Sequence, residues 1–589
     1  MRKRSGVAVA AIGTVLALGL SACGGGGGNT PPAQTGGGSA AAGAEAFNAA
    51  LGKVFNPSTA KGGTLKMAHE GTWDSLDPGD TYYGYSFNFV RLYGRALLMF
   101  KSAPGKDGNT LVPDLAESLG TPGDGGKTWT YKLRKGVKFE DGTEVTSKDV
   151  AYAVARSFDK ETLPHGPGYL NELLDWPKDY KGAFKEPDKD ISSAIETPDD
   201  QTIVFKLKAP FSSFDYIVQM PMTMPVPKAK DTGSKYQEHV ISTGPYMFDT
   251  NELEKSFALK RNPNWDPATD PNRPALPERI EVQLNANADD IDNRLISGDL
   301  HVAVTGLGLG QAARTRVLND PAMKSRTDNP QLQRLWYVSI IPDVAPFDKI
   351  DCRKAVEWAA DRTSIQRAYG GPNGGDIATG MIPPSMDGSK KLTTYATPGD
   401  KGDVEKAKQA LAACGQPNGF EANISYRAER PAEKAFAESM QQSLARVGIK
   451  LTLKPFPDGD YFNLYAGKPA YVKENKLGLA VNGWGSDYPE TFGFMQAIVD
   501  SRTIRDAGNY NLSIKIPEVD QNIDKVKAEQ DAAARTELWS QIDQRIADEA
   551  VTLPGVHARS ILMRGKGLTN VFVSDSQQMY DYVGLGVQQ

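Results

Sequence analysis

Cysteine and histidine are scarce in this 589-residue chain, with three of the first and five of the second. The histidines, at positions 69, 165, 239, 301 and 557, are scattered and show no metal-ligand spacing. His69-Glu70 lacks the second histidine of an H-E-x-x-H helix, and no G-x-S-x-G elbow occurs. Between Gly120 and Gly126-Lys127-Thr128 there are five residues where a phosphate-binding loop has four, and a strand pattern follows where a helix is needed. With no catalytic or metal motif, the chain reads as a non-enzyme without a cofactor, and a secreted hydrolase is the rival. Excess positive charge is also missing. The formal charge of −5 argues against a nucleic-acid partner. Long apolar runs are absent except at the extreme N-terminus, so the bulk of the chain is of soluble type, with room for two to four domains.

That one run sets the compartment. Arg2, Lys3 and Arg4 precede the apolar stretch Val7 to Leu20, the layout of a secretory signal over residues 1–22. It is too short to span a bilayer and ends in small residues. Leu20-Ser21-Ala22-Cys23 resembles a bacterial lipobox, which implies cleavage before Cys23 and a lipid on its sulfur. Loss of the signal takes the charge from −5 to −8. Residues 23–56 are rich in Gly, Ala, Ser, Thr and Pro and read as a disordered tether of about 30 Å r.m.s. span. The expected location is the extracellular face of the bacterial cell membrane, held there by the lipid.

The stretch Thr128–Phe158 organises the folded part. Trp129, Tyr131 and Leu133 alternate with polar residues as in a strand with one buried face. Asp141-Gly142 marks a tight turn, and Thr146-x-x-Asp149 forms a capping box ahead of a helix whose apolar face is Val150, Ala153, Val154 and Phe158. Leu133-Arg134, Gly136-Val137, Phe139, Asp141-Gly142, Thr146 and Asp149-Val150 fill every position of a run found in family 5 solute-binding proteins of ABC importers, the oligopeptide-, dipeptide- and nickel-binding group. Gly62-Gly63-Thr64-Leu65, Ser75-Leu76-Asp77-Pro78 and Pro113 to Glu117 resemble further landmarks of that family, in the right order.

Beyond about Arg334 helices alternate with strands, the mark of an α/β lobe. One helix aligns Cys352, Ala355, Val356 and Ala359; another, capped by Asp403, aligns Val404, Ala407, Leu411 and Cys414; a third aligns Phe436, Met440, Leu444 and Val447. A long helix near 533–550 leads to a last strand at Val551–Leu553. The resemblance implies an α/β fold of two lobes, the type II, three-subdomain form of the periplasmic binding proteins, with a hinge. Residues 57–98, 221–333 and 551–589 are expected in lobe I, 99–220 in its inserted subdomain and 334–550 in lobe II. Cys352 and Cys414 form an even pair in an oxidising compartment, which favours a disulfide. Two buried thiols on apolar helix faces are the other reading.

The remaining signal is Gly483-Trp484-Gly485-Ser486-Asp487-Tyr488-Pro489-Glu490, a loop with one carboxylate between two aromatics. Such a carboxylate can pair an incoming ammonium while Trp484 and Tyr488 supply apolar walls. It can equally cap its own turn. The resemblance assigns Asp487 to the peptide's N-terminal ammonium and Trp484 to the pocket. A family disulfide beside the ligand would need a cysteine at Gly485 and is absent. For other solutes on this fold (oligosaccharide, metal chelate, haem), Trp73, Tyr82, Tyr83 and Tyr85 would matter more, although they read more readily as core. The implied partners are a peptide or other small solute, ABC permease subunits with their cytoplasmic ATPases, and the membrane through the lipid. The protein is expected to act as a monomer. No residue for the ligand's other end is legible.

Overall fold

The computed structural model describes residues 46–428, 430–457 and 461–588. Thr64–Ala68, the Gly-Gly-Thr-Leu strand, lies inside a five-stranded sheet, parallel to Arg279–Gln283 on one side and Val302–Ala303 on the other. Ser256–Arg261 and Tyr246–Glu252 complete it as an antiparallel pair. A separate four-stranded sheet is formed between residues 121 and 206, with Thr128–Lys132 paired to Thr202–Lys206. Trp129, Tyr131 and Leu133 point into its core and are buried. The helix Ser147–Arg156 starts at the expected capping box, Asp149 accepting from both the Thr146 amide and hydroxyl. It ends two residues before Phe158, which instead packs against Trp176 and Tyr180.

The second lobe is built on a six-stranded sheet, ordered Gly375–Ile377, Thr552–Arg559, Gln331–Ile340, Leu479–Gly485, Glu421–Arg427 and Lys450–Phe456. Three helices cover it as their periodicity requires. Cys352, Ala355, Val356 and Ala359 on Ile350–Ala359, Ala407 and Leu411 on Val404–Ala413, and Phe436, Met440 and Leu444 on Pro431–Ala445 are all fully buried. Asp403 accepts from the Lys406 amide at the start of the second helix, and Gly415 follows its end at φ +80°, a conformation that favours glycine. The chain is α/β and two-lobed, as the family resemblance implies.

Two boundaries move. Thr552–Arg559 pairs antiparallel with Gln331–Ile340 along most of its length, so the second lobe keeps the chain to Arg559 and not 550. It is also not the last strand; five two-residue strands follow it, up to Gly586–Val587. At the other end residues 46–56 belong to the folded body and not to a tether. Ala49 and Ala50 are small enough to be buried there, the Asn48 amide donates to the Thr327 carbonyl, and Phe55 bridges to Val571. Residues 1–22 and Cys23 lie outside the described residues. Among the described residues no helix is long and apolar enough to cross a membrane.

Candidate functional site

The middle of the second sheet makes one wall of the site. Antiparallel register sets Arg334 opposite Gly485 and Trp336 opposite Gly483, all four on one face. A Cβ on residue 483 would come within 2.1 Å of the Trp336 ring, and one on residue 485 within 3.3 Å of Arg334 Nε. The two glycines therefore create the room in which Trp336 and Arg334 lie. Tyr369 stacks on Trp336 with ring centroids 5.1 Å apart, and the Arg334 guanidinium sits 5.9 Å from the same indole.

These side chains face a cleft of about 1400 Å³ whose other wall comes from the first lobe, with His69, Trp73, Asp74, Tyr82 and Tyr83. Its volume suits a ligand larger than one amino acid, or a smaller one with water. Asp74 is fully engaged. It accepts from the Thr81 and Ser86 hydroxyls and from the Tyr82 amide at 2.7 Å, which fixes the loop carrying Tyr82. His69 Nδ1 accepts from the Gly71 amide at 2.7 Å, so Nε2 carries the proton, and this buried N–H has no protein acceptor among the described residues. Burial holds the imidazole below its usual pKa, hence neutral near pH 7.

Asp487 occupies an adjoining pocket of about 280 Å³, together with Tyr82, Tyr169, Trp484, Arg505 and Tyr510. Its carboxylate accepts from the Tyr169 hydroxyl and lies beside that of Tyr82. No lysine or arginine pairs with it among the described residues. Burial raises its carboxyl above the ordinary range, while the two phenols act in the opposite direction. Tyr82 lines both spaces and so joins them.

The residues singled out from sequence divide here. Asp487 and Trp484 come together; the Trp484 indole N–H donates to the Phe494 carbonyl at 2.7 Å, which pins the ring against Tyr510. Trp73 lies in the larger cleft, its ring edge-on to Tyr85, Phe89 and Phe257. Tyr488 is a correction. It points into the core, 2% exposed, stacks on Tyr216 and lines neither space, because the chain turns inward at Pro489 towards the helix Thr491–Val499. Tyr82 and Tyr83 are exposed at the cleft, 38% and 57%, whereas Tyr85, which also lines it, is largely buried in the core. Arg334, Tyr369 and Tyr169 had no sequence signal, since each gains its position from pairing with distant segments. Cys352 and Cys414 are joined by a disulfide, Cα to Cα 5.4 Å, within the second lobe. No cluster of three metal-ligating side chains occurs among the described residues.

A family model described as bacterial extracellular solute-binding proteins, family 5, matches residues 110–506. The chain is 26% identical over 477 residues to the glutathione-binding protein GsiB of Escherichia coli K12, covering 78% of this chain and 83% of that protein. Among solved structures it is similar to clavulanic acid biosynthesis oligopeptide binding protein 2, at 41% identity and TM-score 0.89 over 92% of this chain and 99% of the other. It shares its fold with DppA from Helicobacter pylori, solved with the peptide STSA, at 20% identity and TM-score 0.66 over 90% and 99% of the two chains.

Proposed function

We propose that this chain, which belongs to the bacterial extracellular solute-binding proteins of family 5, captures short peptides outside the cell and hands them to the permease of an ABC importer. The observation that carries the peptide reading is Asp487, a recessed carboxylate walled by tyrosines and a tryptophan and held, among the described residues, by phenols. Such a group is matched by an ammonium, and a peptide N-terminus supplies one. The peptide and glutathione ligands named for relatives support the same class. Closure of the two lobes around the solute would shift an open–closed population, and the permease would read the closed form. No bond chemistry is involved. Cys23 would carry the lipid that keeps the body at the membrane.

Calorimetry with free and N-acetylated tri- to pentapeptides tests this. Truncating one side of a buried charge pair typically costs about 2–5 kcal/mol, so Asp487→Ala should weaken free peptides roughly thirty- to several-thousand-fold. Asp487→Asn should lose most of the same, since its amide is neutral. Equal affinity of the native protein for free and acetylated peptides would reduce Asp487 to a loop residue.

A further inference from the structure

We infer that Arg334 is the anchor for a carboxylate of the bound solute. This rests on the reading of the cleft as a solute site and supplies the second end of the ligand. Arg334 lines the large cleft, and its guanidinium has neither a hydrogen-bond nor an ion-pair partner among the described residues. A guanidinium carries N–H donors in a planar fork, which takes a carboxylate through two parallel bonds, and here that fork lines the cleft uncommitted. The Tyr369 hydroxyl, in the same wall, is buried and also lacks a partner. Trp336 stacks on the phenol and lies under the guanidinium, and so helps to hold each.

Among the described residues the surroundings leave no internal anion paired with Arg334. Glu433, the carboxylate in this wall, is held by Arg427, whose Nε lies 2.9 and 3.0 Å from its two oxygens, and by Arg430 at 4.0 Å. Arg427 and Arg430 add like charge, and together with burial they disfavour the charged form of Arg334. A half-buried cation without a counter-ion is a costly arrangement. A ligand carboxylate removes that cost, and a neutral ligand does not. Gly485 is part of the device, because any larger residue would press on the guanidinium. Asp487 follows Gly485, the last residue of its strand, by two residues, so the ammonium and carboxylate sites adjoin along the chain, and the solute class is a short peptide with a free carboxylate.

Calorimetry on trialanine, its C-terminal amide, and an amide carrying a glutamate side chain decides the matter. The native protein should prefer the free acid over the amide by about thirtyfold or more. Arg334→Gln should erase that preference, weakening the acid by much more than the amide. Arg334→Lys should restore part of it. Tight binding of the glutamate amide would assign the carboxylate to a side chain, and weak binding to the C-terminus; either supports an anion site. Equal native affinity for the acid and both amides, or an equal loss of all three in Arg334→Gln, would overturn the proposal. Asp487→Asn with acetylated peptides tests the ammonium end separately. Should no peptide bind, the peptide reading falls, and inorganic phosphate against chloride at matched ionic strength decides on Arg334. A rise in melting temperature that Arg334→Gln loses supports the site, and no difference between the two proteins overturns it.

Discussion

The loop from Ser75 to Pro78 and the helix Ser147–Arg156 are tied together by a buried charge cluster. Arg156 donates from Nη1 and Nη2 to the two oxygens of Asp77 at 2.9 and 2.8 Å, and from Nε and Nη2 to Asp231 at 2.7 and 3.0 Å. The three side chains are 0%, 2% and 1% exposed. Removing one carboxylate leaves the buried guanidinium half matched. By the usual cost of breaking a buried pair, Asp77→Ala should destabilise the first lobe by about 3–5 kcal/mol. With a urea slope of about 3 kcal/mol per M, the first-lobe transition should move down by about 1 M or more. Urea unfolding followed by tryptophan fluorescence reads this, provided the two lobes are fitted as separate transitions. The double variant Asp77→Ala/Arg156→Met should lose less than Asp77→Ala, since no charge is then stranded on Arg156. Asp77→Ala falling within about 0.2 M of the native midpoint would refute the account, and so would losses that add in the double variant. Asp77 lies in the loop that leads to Tyr82, so the same variant should weaken solute binding without touching a solute contact.

Removing the Cys352–Cys414 bridge, which spans a sequence separation of 62, should cost the second lobe about 4 kcal/mol on the chain-entropy account; native alkylation that labels both thiols would dispose of the bond itself. Cys23→Ser should abolish lipidation, because a serine oxygen forms no thioether, and fatty acid still attached to the variant would sink the anchor reading. His557 is buried with its pKa lowered to about 4, so below pH 6.5 the unfolded chain takes up a proton that the native state refuses. Its contribution is complete above pH 6.5 and is lost as pH falls towards 4. Between pH 7 and 4.5 the native protein should therefore lose about 2–3 kcal/mol more than His557→Gln, and equal losses in denaturant titrations would count against it.

Local chemistry made much of the fold legible. A capping box, a glycine after a helix or an alternation of apolar residues needs only neighbours in sequence, and the helices around Val154, Val356, Leu411 and Met440 formed on their apolar faces. The terminal segments were misread for the same reason. Ala49-Ala50 has the composition of a linker, and its burial depends on contacts with residues near 327 and 571 that no local pattern reveals. Thr552–Arg559 has the pattern of a strand in either lobe, and only its pairing with Gln331–Ile340 decides between them.

The site follows the same division, and its logic lies in register. Trp484 and Asp487 stand out because an aromatic and a carboxylate in a Gly/Pro loop look unusual by themselves. Gly483 and Gly485 look like ordinary loop glycines until the strands are paired. Pairing then turns each missing side chain into space, filled across the strand by Trp336 and Arg334. A glycine in a strand interior ordinarily weakens it. Here the loss is offset by a tryptophan that supports Tyr369 and by an arginine delivered to the cleft with its donors uncommitted. Tyr488 shows the converse: adjacent to Asp487 in sequence, it faces the opposite way and fills the core against Tyr216. Neighbourhood along the chain is therefore a poor guide to neighbourhood in the cleft, and the residues opposite a glycine on the paired strand are the better place to look for ligand contacts.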